Sequence, residues 1–212
     1  MSGVVTVSRA LTPRNWTSAS DPTNGWDAAD GVRVGDYWYN TASGNVFVCV
    51  TNTVGAAVWR HITRVLGQSG TASSVTGTVA ETALATITVP ANAMGIHGQL
   101  HIHTHRTWTN DASGKTSRIR FSSISGTAFR ATADASTAGI SDYIVISNAG
   151  ATNSQVGGQS GTGAGLGVGA LTTASVDTTA ATTVVISAQL TDTADTMTLS
   201  SYRVILTRPD IT

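Results

Sequence analysis

The chain has 212 residues, 12 basic and 12 acidic side chains, a formal net charge of zero and only 11% charged residues, under half the roughly 25% usual in soluble domains. Lys115 is the only lysine and Glu81 the only glutamate, while 35 residues are threonine and 22 glycine. Such a chain lacks the basic face that a nucleic-acid binder needs to neutralise phosphates. It is also poor in strong helix formers and rich in β-formers, so an all-β fold is expected. No apolar run reaches the roughly 18 residues of a membrane span. Residues 1–14 lack the basic start and apolar stretch of a secretory signal. Neither membrane insertion nor export is therefore expected. The lone Cys49 excludes an internal disulfide framework.

In chain order, residues 1–66 read as a small aromatic β module, holding seven of the twelve aromatic side chains. Residues 36–40 and 46–50 are expected to form the arms of a hairpin around a Ser-, Gly- and Asn-containing turn at 41–45, with a third strand at 57–62. Alternation puts Tyr37 and Tyr39 on one face and Trp38 on the other, and sets Val46, Val48 and Val50 opposite Phe47 and Cys49. A module this small buries only about 60% of its unfolded surface, so a partner surface or oligomerisation would help it.

Residues 67–80 contain GQSGTASSVTGT and read as a linker or a loosely held strand. Residues 81–212 then give strands near 83–89, 98–108, 116–123, 128–133, 141–148, 170–177, 182–190 and 197–207, divided by Gly, Asn, Asp and Ser clusters. Short strands with no helical pattern predict an antiparallel β-sandwich of jelly-roll type. The run TTVVISAQL at 182–190 has the β-branched density of a core strand. Residues 155–170, with seven Gly in sixteen, read as a long loop or a close-packed extended segment.

The segment GDYWYNTASGNVFVCV, followed by GAAVWR, places Val34, Gly35, Trp38, Asn40, Gly44, Phe47, Cys49, Gly55, Ala56, Ala57 and Trp59 in a pattern. In that pattern it resembles a small module of phage tail-fibre and head-fibre proteins. ETALATITVPA, VDTTAATTVVISAQL and SYRVILTRP resemble the β-sandwich domains at the distal ends of such fibres, and gene transfer agent particles carry similar head spikes. The resemblance implies a homotrimeric virion fibre or spike, displayed on the particle surface. Its partners would be its own copies, other capsid or tail proteins, and a host-surface polysaccharide (capsule or lipopolysaccharide) to which it adsorbs by multivalent non-covalent contacts. No enzyme activity and no cofactor are expected. The alternative is a capsid decoration or an adaptor that attaches another fibre. No coiled-coil or collagen-like shaft separates the two segments.

Candidate ligand residues follow from residue chemistry. Sugars stack their C–H faces on aromatic rings, and Trp16, Trp26, Tyr37 and Tyr39 could supply such a platform, whereas Trp38 and Trp59 read as core. Trp108, Asn110, Asp111 and Lys115 surround a DASGK loop tip, where binding residues tend to sit. His101, His103 and His105 alternate along one strand and share a face. Three readings stay open for them: a solvated or inter-subunit face, a structural metal shared on a threefold axis, or a catalytic metal. The last would want a carboxylate ligand, and the only Glu lies upstream at position 81. No serine elbow marks a nucleophile. Cys49 lies in a β-branched strand without a flanking base and reads as inert. The Gly run at 161–169 lacks the Lys-Ser/Thr of a phosphate loop. The scattered aspartates read as turn and cap residues rather than a glycosidase pair.

Overall fold

A computed structural model describes residues 12–134, 138–158 and 171–209. They divide into two compact units, one covering residues up to 41 and 45–61, the other 42–44 and 62–209. Both are built from strands, and no α-helix occurs among the described residues.

In the first unit, β1 (Asn15–Ser18), β2 (Tyr37–Asn40), β3 (Val46–Thr51) and β4 (Val58–His61) form one sheet in that order. The last three are the expected strands and pair antiparallel, with Trp38 opposite Phe47 and Cys49 opposite Trp59. β1 runs parallel to β2 and sets Trp16 beside Trp38. Its four residues are too few to show a period in the sequence. Alternation holds as read: Trp38, Phe47, Cys49 and Trp59 are at most 2% exposed, while Tyr37, Val46, Val48 and Val50 are half-buried on the other face. The hairpin closes with the Asn40 N–H donating to the Asn45 carbonyl at 2.8 Å. Gly44 in that turn has φ 73°, a region that side chains with a Cβ rarely adopt. A 3-10 turn at Ala28–Asp30 is capped by Asp27, whose carboxylate accepts from the Ala29 N–H at 2.7 Å and the Gly55 N–H at 2.6 Å. Those donors would otherwise be unpaired beside a small core.

The second unit contains β5 (Arg64–Ser69), β6 (Ser73–Thr76), β7 (Thr82–Val89), β8 (Gln99–Trp108), β9 (Lys115–Phe121), β10 (Thr127–Asp134), β11 (Gly139–Asn148), β12 (Gln155–Gly157), β13 (Thr172–Ala174), β14 (Thr182–Leu190) and β15 (Thr196–Thr207). One sheet has the order β10-β9-β14-β7. The other runs β13-β12-β11-β8-β15-β5, with β6 also pairing β15. Every pairing is antiparallel. Inward residues of both sheets, such as Leu100, Ile102 and Val204 from one and Ile119, Phe121 and Ile186 from the other, share a single apolar cluster. This is the layered arrangement expected of a sandwich core.

One expectation is corrected: residues 67–80 are not a linker, and the other reading of them, a held strand, is the one found. Part of β5 and all of β6 lie there, with Ser69 opposite Tyr202 and Val75 opposite Met197, and the units divide between residues 61 and 62. Ladder hydrogen bonds to a long neighbour hold these strands, so small polar side chains suffice where burial is slight. Of the two readings of 155–170, a long loop or a close-packed extended segment, the described start is extended, because β12 opens it. The rest of that stretch, 159–170, lies outside the described residues.

Candidate functional site

In the first unit four indoles form a ladder. Ring centroids are 6.1 Å apart for Trp16–Trp26, 5.0 Å for Trp26–Trp38 and 5.8 Å for Trp38–Trp59, within the range of favourable tilted contacts. The inner indoles are anchored by their N–H groups: Trp38 donates to the Ser20 carbonyl at 2.9 Å and Trp59 to the Trp26 carbonyl at 3.1 Å. Trp16 donates to the Asp36 carboxylate at 3.1 Å, which also accepts from the Arg14 and Arg33 N–H groups at 2.8 and 3.0 Å. Burial alone would raise the Asp36 carboxyl, but these bonds and the Arg14 charge hold it below the usual carboxylate range. The ladder is thus core at one end and open at the other. Trp38 is 2% exposed and Trp26 is 39% exposed. Of the four expected platform residues, Trp16 and Trp26 come together. Tyr37 and Tyr39 form a separate pair, 6.4 Å apart, on the opposite side of β2.

The loop-tip expectation divides. Asn110 and Asp111 are exposed. Trp108 is 8% exposed within the sandwich core, and Lys115 is fully buried, so neither is available at a tip. Lys115 opens β9 with its side chain inward. Its ammonium donates to Asp111 and to the Ser113 carbonyl at 2.9 Å, and pairs with buried Asp195 at 3.0 Å. Hydrogen bonding to Lys115, with Asp195 and the Ser113 N–H adding to it, holds the Asp111 carboxyl at about 2. The only lysine of the chain closes a loop rather than presenting a charge.

On β8, Leu100, Ile102, Thr104, Arg106 and Trp108 face inward, while His103 and His105 are exposed and His101 is half-buried. The three imidazoles share one face, as alternation required. Both His101 ring nitrogens are engaged, Nδ1 with Tyr143 Oη at 2.6 Å and Nε2 with Thr207 Oγ1 at 3.0 Å. Burial, and then the neighbouring His103, push His101 below its ordinary value. Among the described residues no group of three His, Cys, Asp or Glu side chains is placed to hold a metal. Glu81 is no ligand for these histidines. Its carboxylate accepts from Arg120 at 2.7 and 2.8 Å, Arg118 at 3.2 Å and Ser187 at 2.5 Å on the four-stranded sheet, whereas β8 belongs to the other sheet.

Two features were not legible in the sequence. Arg106 and Arg130 converge on Asp142 at 2.7 and 2.9 Å inside the sandwich, and Ser117 accepts from Arg106. Tyr143 and Arg203 flank the histidines by the register of β11 and β15 with β8. The alternation of ISDYIVIS would place Tyr143 outward, but only the topology says which strand it neighbours. Cys49 is buried, and burial raises its thiol above the usual range, which makes it a poor nucleophile. No protein-family model matches the chain, and no curated protein matches it.

Proposed function

We propose that this chain is a virion fibre or spike protein that adsorbs to a host-surface glycan by weak, non-covalent contacts multiplied over many copies. In this reading it is a homotrimer whose larger unit is a jelly-roll sandwich. It sits on the particle surface beside other capsid or tail proteins, and it has no enzymatic step and no cofactor. The observation that carries the reading is the tryptophan ladder, which is anchored at Trp38 and Trp59 and leaves Trp26 and part of Trp16 open. An indole fixed from behind and open in front presents apolar area to a sugar ring at little entropic cost. The near-neutral, Thr-rich composition supports the same reading, because it limits indiscriminate electrostatic attraction to a charged envelope.

The test uses the full chain over host polysaccharide immobilised at several densities. Retention should rise steeply with density, as avidity requires, and Trp26→Ala should lose most of it. No retention at any density would leave decoration or an adaptor role as the account. Release of reducing ends from the polysaccharide would make the protein an enzyme instead.

A further inference from the structure

The outer face of the seven-stranded sheet carries a second, chemically different surface. Its centre is His103, whose ring lies 4.4 Å from that of Tyr143. Tyr143 in turn stacks on His101 at 6.1 Å and 26°, and hydrogen-bonds it. Arg203 stands directly across from His103 on β15, and Ser201 across from His105. His103, His105, Ser201 and Arg203 line a shallow depression of about 280 Å³. Tyr143 is 49% exposed, and Arg203 is exposed with no ion pair to any described carboxylate.

The charge on this face is one-sided. β5, β8, β11 and β15 contain a single acidic residue, Asp142, and it is turned inward between Arg106 and Arg130. The titratable or charged groups beside the histidines are Arg203 and Tyr202 from β15, which line the depression, and Tyr143 from β11. The next residues outward on β5, Val65 and Gln68, which pair with Ile205 and Arg203, add none. A guanidinium, imidazoles and hydroxyls around an exposed ring suit a sugar that also bears an anionic group. The ring takes the C–H face, Arg203 forks onto the anion, and Ser201 and the imidazoles bond the remaining oxygens. Two copies of this face would bring Arg203 and the histidines against like charge, which disfavours self-pairing.

We propose that this face binds an anionic saccharide, one whose residues carry a carboxylate, sulfate or phosphate. The inference rests on the glycan-adsorption reading and names the class of glycan.

The experiment measures retention of the full chain on surfaces of oligogalacturonate, dextran sulfate, phosphomannan and neutral dextran, at fixed pH and ionic strength. The three anionic surfaces show which charged group is preferred. Arg203→Gln and Tyr143→Ala should each weaken at least one anionic surface about fivefold or more, with unchanged ellipticity and solution mass. Arg60→Gln, an exposed arginine of the first unit, should weaken none. Equal loss with Arg60→Gln, or no loss with Arg203→Gln, overturns the proposal. So does a change of solution mass in the Arg203 or Tyr143 variants, which would make the face a contact between copies. Retention on an anionic surface without any on host polysaccharide would defeat the adsorption reading and leave this site standing. Retention on host polysaccharide that Trp26→Ala abolishes and Arg203→Gln spares would do the reverse.

Discussion

Replacing Asp142 by Asn should unfold the sandwich at a markedly lower temperature. Asp142 accepts from Arg106 at 2.7 Å and Arg130 at 2.9 Å, with side-chain exposures of 2%, 0% and 6% respectively. Burial pulls the Arg106 guanidinium below its usual value, Asp142 opposes that pull, and the like charge of Arg130 adds to it. Among the described residues, Arg106 Nε and Arg130 Nη2 already have no hydrogen-bond partner. Asp142→Asn keeps the size and removes the carboxylate charge that both guanidiniums share, so the two stay buried against each other. Removing one member of a buried ion pair costs about 3 to 5 kcal/mol. At about 2 to 4 °C per kcal/mol for a unit of this size, Tm falls by about 6 to 20 °C. Far-UV ellipticity follows the sandwich, whose strands outnumber those of the first unit. Tryptophan fluorescence is weighted to the first unit, which holds Trp16, Trp26, Trp38 and Trp59, with Trp108 alone reporting the sandwich. The ellipticity transition should move together with a minor fluorescence component from Trp108, and the major fluorescence transition should stay. Arg106→Met/Arg130→Met/Asp142→Leu should recover much of the loss, because matched apolar groups leave no charge unpaired. A shift under about 2 °C in Asp142→Asn, or a triple variant as unstable as the single, would refute the reasoning.

In the tryptophan ladder, Trp38→Ala should cost about 3 to 5 kcal/mol of first-unit stability. Trp26→Ala should cost well under half of that while removing glycan retention, as read by urea unfolding and surface binding; equal costs would contradict the core-and-platform division. Glu81→Gln should destabilise the sandwich at pH 7 by about 1.5 to 3 kcal/mol, the worth of hydrogen bonds to a charged group. Its folded carboxyl lies below the ordinary value because the bonds from Arg120 and Ser187, with the charges of Arg118 and Arg120, outweigh burial. That stability is present above the unfolded value of about 4.3 and is lost as pH falls through the lower folded value. The gap between wild type and Glu81→Gln in urea midpoint should therefore close below about pH 4.3, and a constant gap from pH 7 to 3 would refute it. Lys115→Met should lower the ellipticity Tm and leave glycan retention intact at a temperature where it is folded. The opposite pattern would return Lys115 to a binding role.

The hairpin of β2 and β3 was legible because Trp38, Phe47 and Cys49 alternate with half-buried neighbours around a Gly- and Asn-containing turn. β14 was legible because Val184, Val185 and Ile186 are β-branched without interruption. β5 and β6 read no more firmly than a linker or a loosely held strand, since their ladder to β15 asks little of side chains such as Ser73 and Ser74. Lys115 shows why loop chemistry misleads: DASGK reads as an exposed tip, and only the return of the chain at Asp195 reveals a cage for the ammonium. The histidine face was visible in its spacing, yet its partners Tyr143 and Arg203 lie 40 and 100 residues from His103 in sequence and meet it only through strand order.

The most direct test of the adsorption account is competition. Host cells are mixed with intact particles and an excess of the full chain, and free particles are counted over time. The account predicts that adsorption slows in proportion to added protein, and that the Trp26→Ala chain competes poorly. Adsorption at an unchanged rate in the presence of saturating protein would contradict it.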